Sequence, residues 1–184
     1  MLIIHHLIAT IKIPLYNALL SQILIYKVII VKLLFSLSLT TAILSGLWAW
    51  VADVFGLISW AGFLGCTAYF AYPKDGVKGL LVTALTALSG VVWGLVIIHS
   101  DKLTHDLPNF AGYFVTTAIA FVMCFQAQKS WLAYIPGTFI GACATFAAQG
   151  NWQLTIPSLI VGVLFGYAMK QSGLWLVKKL DRTS

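Results

Sequence analysis

Glutamate is absent from the 184-residue chain, and the acidic total of five is all aspartate. Charged residues of every kind make up only 9% of it, against roughly a quarter in soluble domains. That scarcity excludes a water-soluble globular protein, because too few charges exist to cover a solvated surface. Three cysteines, Cys66, Cys124 and Cys143, each fall inside an apolar stretch with no pair at metal-finger spacing. They read as small packed hydrophobes, not as a disulfide frame or a metal site. Also missing are a Gly-rich phosphate loop, a nucleophile with a matching base, and a metal-ligand pair on one helix face. Catalysis, cofactors and metals are therefore not expected. The net charge of +6 comes from Lys and Arg scattered singly or in pairs, not from the stripe that nucleic acid requires.

What is present is apolar length. Hydrophobic residues make up 60% of the chain and mean hydropathy is +0.94, which places it in a lipid bilayer. A spanning helix needs about 20 mostly apolar residues. Six candidates follow Lys32: Leu33–Val51, Leu57–Tyr72, Gly79–Ile98, Phe110–Ala127, Trp131–Ala148 and Thr155 to about Leu174. Short polar stretches rich in Gly, Pro, Asn and Asp separate them, as turns require. The second is short, and it and the fifth fit either a span or a re-entrant segment.

Lys and Arg in short loops collect on the cytoplasmic side. With six spans and the amino end inside, nine of these charges lie inside and only Lys102 outside; with the second and fifth segments re-entrant, the count is seven against three. Six spans are favoured, with both ends of the six-helix domain cytoplasmic. Residues 1–32 form an apolar extension in which Lys12 and Pro14 interrupt the run, favouring an interfacial helix over an extra span. Residues 33–184 form a single membrane domain.

The chain repeats itself. "FLGCTAYFA" at 63–71 returns as "FIGACATFA" at 139–147, and at the same offset of 76 "TTAI" at 40–43 returns at 116–119. Residues 36–98 and 112–174 are read as two copies of one three-helix unit. Because three is odd, the copies enter the membrane from opposite faces, which predicts an all-α polytopic protein built of inverted repeats. Ala61/Gly65 and Gly137/Gly141 give each second helix a small-residue face for close helix packing. Thr41 and Thr117 are equivalent hydroxyls two to three turns into their helices; such hydroxyls usually bond back one turn. Candidate pathway or packing residues are Thr41, Gly65, Cys66, Thr117, Gly141 and Cys143. Differences between copies, such as Cys66 against Ala142 and Thr67 against Cys143, are where a directional function enters.

Pro136 and Pro157 fit first-turn positions, and Trp48, Trp50, Trp60, Trp131, Trp152 and Trp175 an aromatic belt. His99, Asp101, His105 and Asp106 share an outer loop but match no metal-ligand spacing. No charge sits near the middle of any span, which disfavours ion or proton coupling.

The stretches "GLWAWVADVFGLISWAGFLGCTAYFAYP", "YIPGTFIGACATFA" and "FGYAMKQSGLWL" resemble the YcdZ-type bacterial inner-membrane proteins, the family of domain of unknown function 1097. The resemblance runs from about Leu34 to Leu180, implies a polytopic protein of the bacterial inner membrane, and carries no functional residues over. Two functions are expected: a channel or facilitator for a small neutral solute, or a non-transporting accessory subunit that binds other membrane proteins. Partners are the bilayer, a homo-oligomer or a small neutral solute.

Overall fold

The computed structural model describes residues 2–104 and 109–182. Among them every regular element is helical: α1 (Leu2–Val54), α2 (Ser59–Ala71), α3 (Gly76–Thr104), α4 (Asn109–Phe125), α5 (Ile135–Ala147) and α6 (Trp152–Asp181). Two 3-10 turns, Gln126–Gln128 and Ser130–Leu132, lie between α4 and α5. No break occurs at Lys32. From Asn17 to Ser45 the sequence holds neither Pro nor Gly, so nothing stops the helix that starts in the extension.

Helix ends follow local chemistry. After α1 the chain enters Gly56 with φ +61°, and Leu57 N–H reaches Ala52 O at 2.8 Å while Gly56 N–H reaches Asp53 O at 3.3 Å. These are the paired bonds of a left-handed C-cap that satisfies the last carbonyls. α5 ends the same way: Gly150 N–H bonds Thr145 O and Gln149 N–H bonds Phe146 O, both at 2.9 Å. There the left-handed residue is Gln149, at φ 52°. Pro136 sits in the first turn of α5, as expected. Pro157 lies inside α6 instead, because Asn151 starts that helix at Trp152 and accepts from Leu154 N–H.

Among the described residues, four stretches are long and apolar enough to cross a membrane: Gln22–Val54, Gly76–Lys102, Phe110–Gln128 and Trp152–Leu180. By contrast, α2 and α5 have 13 residues each, about 20 Å against a hydrocarbon core of roughly 30 Å. The expected segments 57–72 and 131–148 are shorter as helices because Leu57 and Ile58 are needed for the turn out of α1, and because 3-10 and irregular backbone occupies 130–134.

These two short helices occupy the middle of the bundle. α2 runs parallel to α6, with Ile58 bonded to Ser158, Cys66 to Gly162, and Tyr69 stacked edge-on against Tyr167. α5 runs parallel to α3, with Gly141 on Ala87 and Gly150 on Leu95 and Ile98. α1 lies antiparallel on α6, pairing Thr40 with Met169 and Trp48 with Phe165. α4 lies antiparallel on α3 through Met123, Ile119, Trp93 and Ile97. α2 ends where α5 begins, with the Tyr72 and Tyr134 rings 4.9 Å apart.

The buried positions of α2 are Ala61, Gly62, Gly65, Cys66, Ala68 and Tyr69. Those of α5 are Gly137, Thr138, Gly141, Ala142, Ala144 and Thr145, each of them 76 residues later. The centre is closed by Val91, Ala144 and Leu159, all 0–1% exposed, backed by Leu64, Leu95, Ile140 and Ile156. Around it, α1 and α4 turn Phe35, Ile43, Trp50, Phe114, Phe121 and Phe125 outward. Such a surface suits acyl chains and not water.

Candidate functional site

The six sequence candidates separate into different environments. Thr41 and Cys66 come together. With Ser45, Phe63, Thr67, Phe70 and Met169 they line a cavity of about 230 Å³ between α1, α2 and α6. By liquid volume that is room for on the order of seven waters. Cys66 is the eighth residue of the 13 in α2, so the cavity sits halfway along the short helix. The Cys66 thiol is buried and donates to Gly162 O at 3.1 Å, and the Thr67 hydroxyl donates to Phe63 O at 2.9 Å. Phe63 and Thr67 are exposed on the bundle surface, so the recess opens sideways toward lipid.

Gly65 and Gly141 do not line this cavity. A methyl group on Gly65 would lie 2.9 Å from Val163 N, and one on Gly141 would lie 2.9 Å from the Ala87 carbonyl carbon. Both glycines let one backbone rest on another. Cys143 is exposed. Thr117 is exposed too, its hydroxyl donating to Tyr113 O at 2.8 Å, the one-turn back-bond that threonines in helices favour. Of the six candidates, therefore, only Thr41 and Cys66 line the cavity, joined there by Met169 from the second copy.

A polar network not anticipated from the sequence spans both copies, with Ser89 and Trp93 from the first and Gln126 and Thr138 from the second. The Gln126 amide oxygen accepts from Ser89 Oγ at 2.7 Å and from Trp93 Nε1 at 3.1 Å, and its nitrogen donates to Thr138 Oγ1 at 2.9 Å. It ties the end of α4 to α3 and α5 with all three of these amide contacts made. The signal in the sequence was Gln126 in the last turn of an apolar run, with Ser89 and Trp93 four residues apart on one helix face. Between helices in lipid such groups serve as glue. Nearby on α3, Thr83 is fully buried and its hydroxyl has no partner.

Trp48 departs from the aromatic belt. It is fully buried, its Nε1 donates to Ser59 O at 2.9 Å, and its ring lies over Gly62 and edge-on to Phe165. Gly62 makes the space, so the ring turns inward. Trp50, Trp60, Trp131, Trp152 and Trp175 remain exposed. Of the four residues expected to share a loop, His105 and Asp106 lie outside the described residues, whereas His99 and Asp101 belong to α3, where His99 Nδ1 sits 2.8 Å from Leu95 O.

The cavity thus offers hydroxyls, a thiol, two phenyl rings and a thioether, with no carboxylate, ammonium or imidazole among its lining residues. It can hold a small uncharged molecule by shape and one or two hydrogen bonds. It has no means of compensating an ion.

Comparison with known proteins agrees with the membrane reading. The chain is 56% identical over 153 residues to a protein of Escherichia coli (strain K12) named "Inner membrane protein YcdZ", covering 83% of this chain and 93% of that one. The same identity and span hold for the protein of that name in Salmonella typhimurium (strain LT2), of which 95% is covered. No solved structure matches. Residues 38–174 match the family described as "Protein of unknown function (DUF1097)", and the chain belongs to that family.

Proposed function

We propose that the chain is an inner-membrane protein of six spans arranged as inverted three-helix repeats, and that it admits a small neutral solute through the cavity between α1, α2 and α6. The repeat reading is supported by the matching buried register of α2 and α5 and by the opposed directions of the helices that carry it. Both relatives are named inner membrane proteins. Short helices at the middle of a bundle are where transporters of this architecture place their sites. Here both ends of α2 are closed by side chains: Ile58 N–H is accepted by Ser158 Oγ at 2.8 Å, and Tyr134 Oη donates to Ala68 O at 3.0 Å. Backbone at membrane depth requires such partners. With both termini of the six-helix domain inside, nine Lys and Arg side chains face the cytoplasm against one outside.

The observation that carries the solute reading is the mid-helix cavity, lined by hydroxyls and a thiol and free of charge. Its test is osmotic swelling of proteoliposomes in urea, glycerol and short alcohols. Flux is expected above that of empty vesicles, and Thr41→Leu or Ser45→Leu, which fill the cavity from α1, should remove most of it. A second reading, an accessory subunit without transport, draws on the closed centre at Val91, Ala144 and Leu159. No flux for any solute, with a stoichiometric membrane protein recovered on purification, would establish that reading instead.

A further inference from the structure

We infer that the end of the bundle where α2 passes into α3 is held by a one-sided latch, the Asp75–Lys170 ion pair seated on Tyr69, and that releasing it opens the α2–α6 contact as far as Cys66. Lys170 on α6 places Nζ 2.6 Å from Asp75 Oδ1 and 5.7 Å from the centroid of the Tyr69 ring. Asp75 immediately precedes α3 and belongs to the first copy, whereas Lys170 belongs to the second. The pair therefore joins the α2–α3 turn to a helix from the other half. Tyr69 is fully buried; its hydroxyl accepts from Gly76 N–H at 3.1 Å, and its ring meets Tyr167 edge-on at 5.7 Å. Ammonium, ring and turn are thus locked to one another.

The sequence-equivalent positions in the other half cannot form such a pair. The positions 76 residues away from Asp75, Lys170, Tyr69 and Tyr167 are Asn151, Gly94, Thr145 and Val91, which carry neither charge nor ring. The pair is a difference between two otherwise matching halves.

Its consequence follows from solvation. The Lys170 side chain is 19% exposed and that of Asp75 51%. Without the carboxylate, the ammonium keeps only a ring as partner and gains by extending its alkyl stem toward water. That movement lifts it from Tyr69 and loosens the last turn of α2. Cys66 stands one turn earlier on the same buried face, against Gly162 and Gly166. It reports the opening directly, whether or not any solute is transported.

The test uses the full-length protein in lipid vesicles, with Cys124 and Cys143 replaced by serine. The rate of Cys66 alkylation by a membrane-permeant maleimide is measured against total thiol in SDS. Asp75→Asn keeps a residue that caps a helix equally well and removes only the charge. It is expected to raise the rate about tenfold, the effect of about 1.4 kcal/mol on the closed-to-open ratio. Lys170→Met should act in the same direction, and the charge-conserving Asp75→Glu and Lys170→Arg should stay near the parent rate. An unchanged rate in Asp75→Asn, or an equal rise in Asp75→Asn and Asp75→Glu, overturns the latch.

Discussion

Adding one methyl group to Gly141 tests the packing on which the architecture depends. Its Cβ would sit 2.9 Å from the Ala87 carbonyl carbon and 3.1 Å from Gly90 Cα, both backbone atoms that cannot rotate aside. To restore a carbon–carbon separation of about 3.5 Å, α5 and α3 must part by roughly 0.6 Å, and by more to clear the Ala87 carbonyl oxygen, which lies closer still. Overpacking of this kind costs about 1–3 kcal/mol. Replacing a helical Gly by Ala returns about 0.5–1 kcal/mol of backbone entropy, so Gly141→Ala should lose a net of about 0–2.5 kcal/mol. Gly46 supplies the control, since nothing lies within 4 Å of its Cβ direction. Gly46→Ala should therefore gain about 0.5–1 kcal/mol. Reversible unfolding in mixed micelles titrated with SDS, followed by the fluorescence of the seven tryptophans, measures both. If the two variants agree within about 0.5 kcal/mol, the scatter of neutral surface substitutions, the α3–α5 contact is not as close as described.

Gln126→Leu should destabilise the fold by about 1–3 kcal/mol, because Ser89, Trp93 and Thr138 each lose a partner away from water. Trp93→Phe should add much less in that background than in the parent, a coupling read from a double-mutant cycle. Gln149→Gly should stabilise by about 1 kcal/mol, since a non-glycine residue at φ 52° bears a steric cost that glycine lacks. Equal or lower stability in the same SDS titration would contradict that account of the turn.

Much of the helix pattern was legible because a bilayer imposes length. The apolar runs at 79–98, 110–127 and 155–174 each lie within or largely within a long helix, and the spacing of 76 lines up α2 with α5 residue for residue. Helix ends were less legible. Apolarity does not distinguish a helix from the capped turn that follows it, so 57–72 contracted to Ser59–Ala71 and α6 began before Thr155. Of the candidate site, Thr41 and Cys66 were found because the repeat drew attention to them. Equivalence in sequence could not say that the copies differ in surroundings: Thr41 faces Phe63, Cys66 and Met169, while Thr117 is exposed. Gln126 was passed over because its position is set by a turn between helices, and its partners Ser89, Trp93 and Thr138 come from two other elements. Trp48 was misassigned for a related reason, since the space it fills is made by Gly62 on the next helix.

The central claim is that the two halves cross the membrane in opposite senses. It is tested most directly by single cysteines at Lys74 and Asn151, in the turns that end α2 and α5, in a background without Cys66, Cys124 and Cys143. In right-side-out vesicles an impermeant maleimide should label Asn151→Cys and leave Lys74→Cys untouched, and inside-out vesicles should reverse the pattern. Labelling of both positions from the same face would contradict the inverted arrangement.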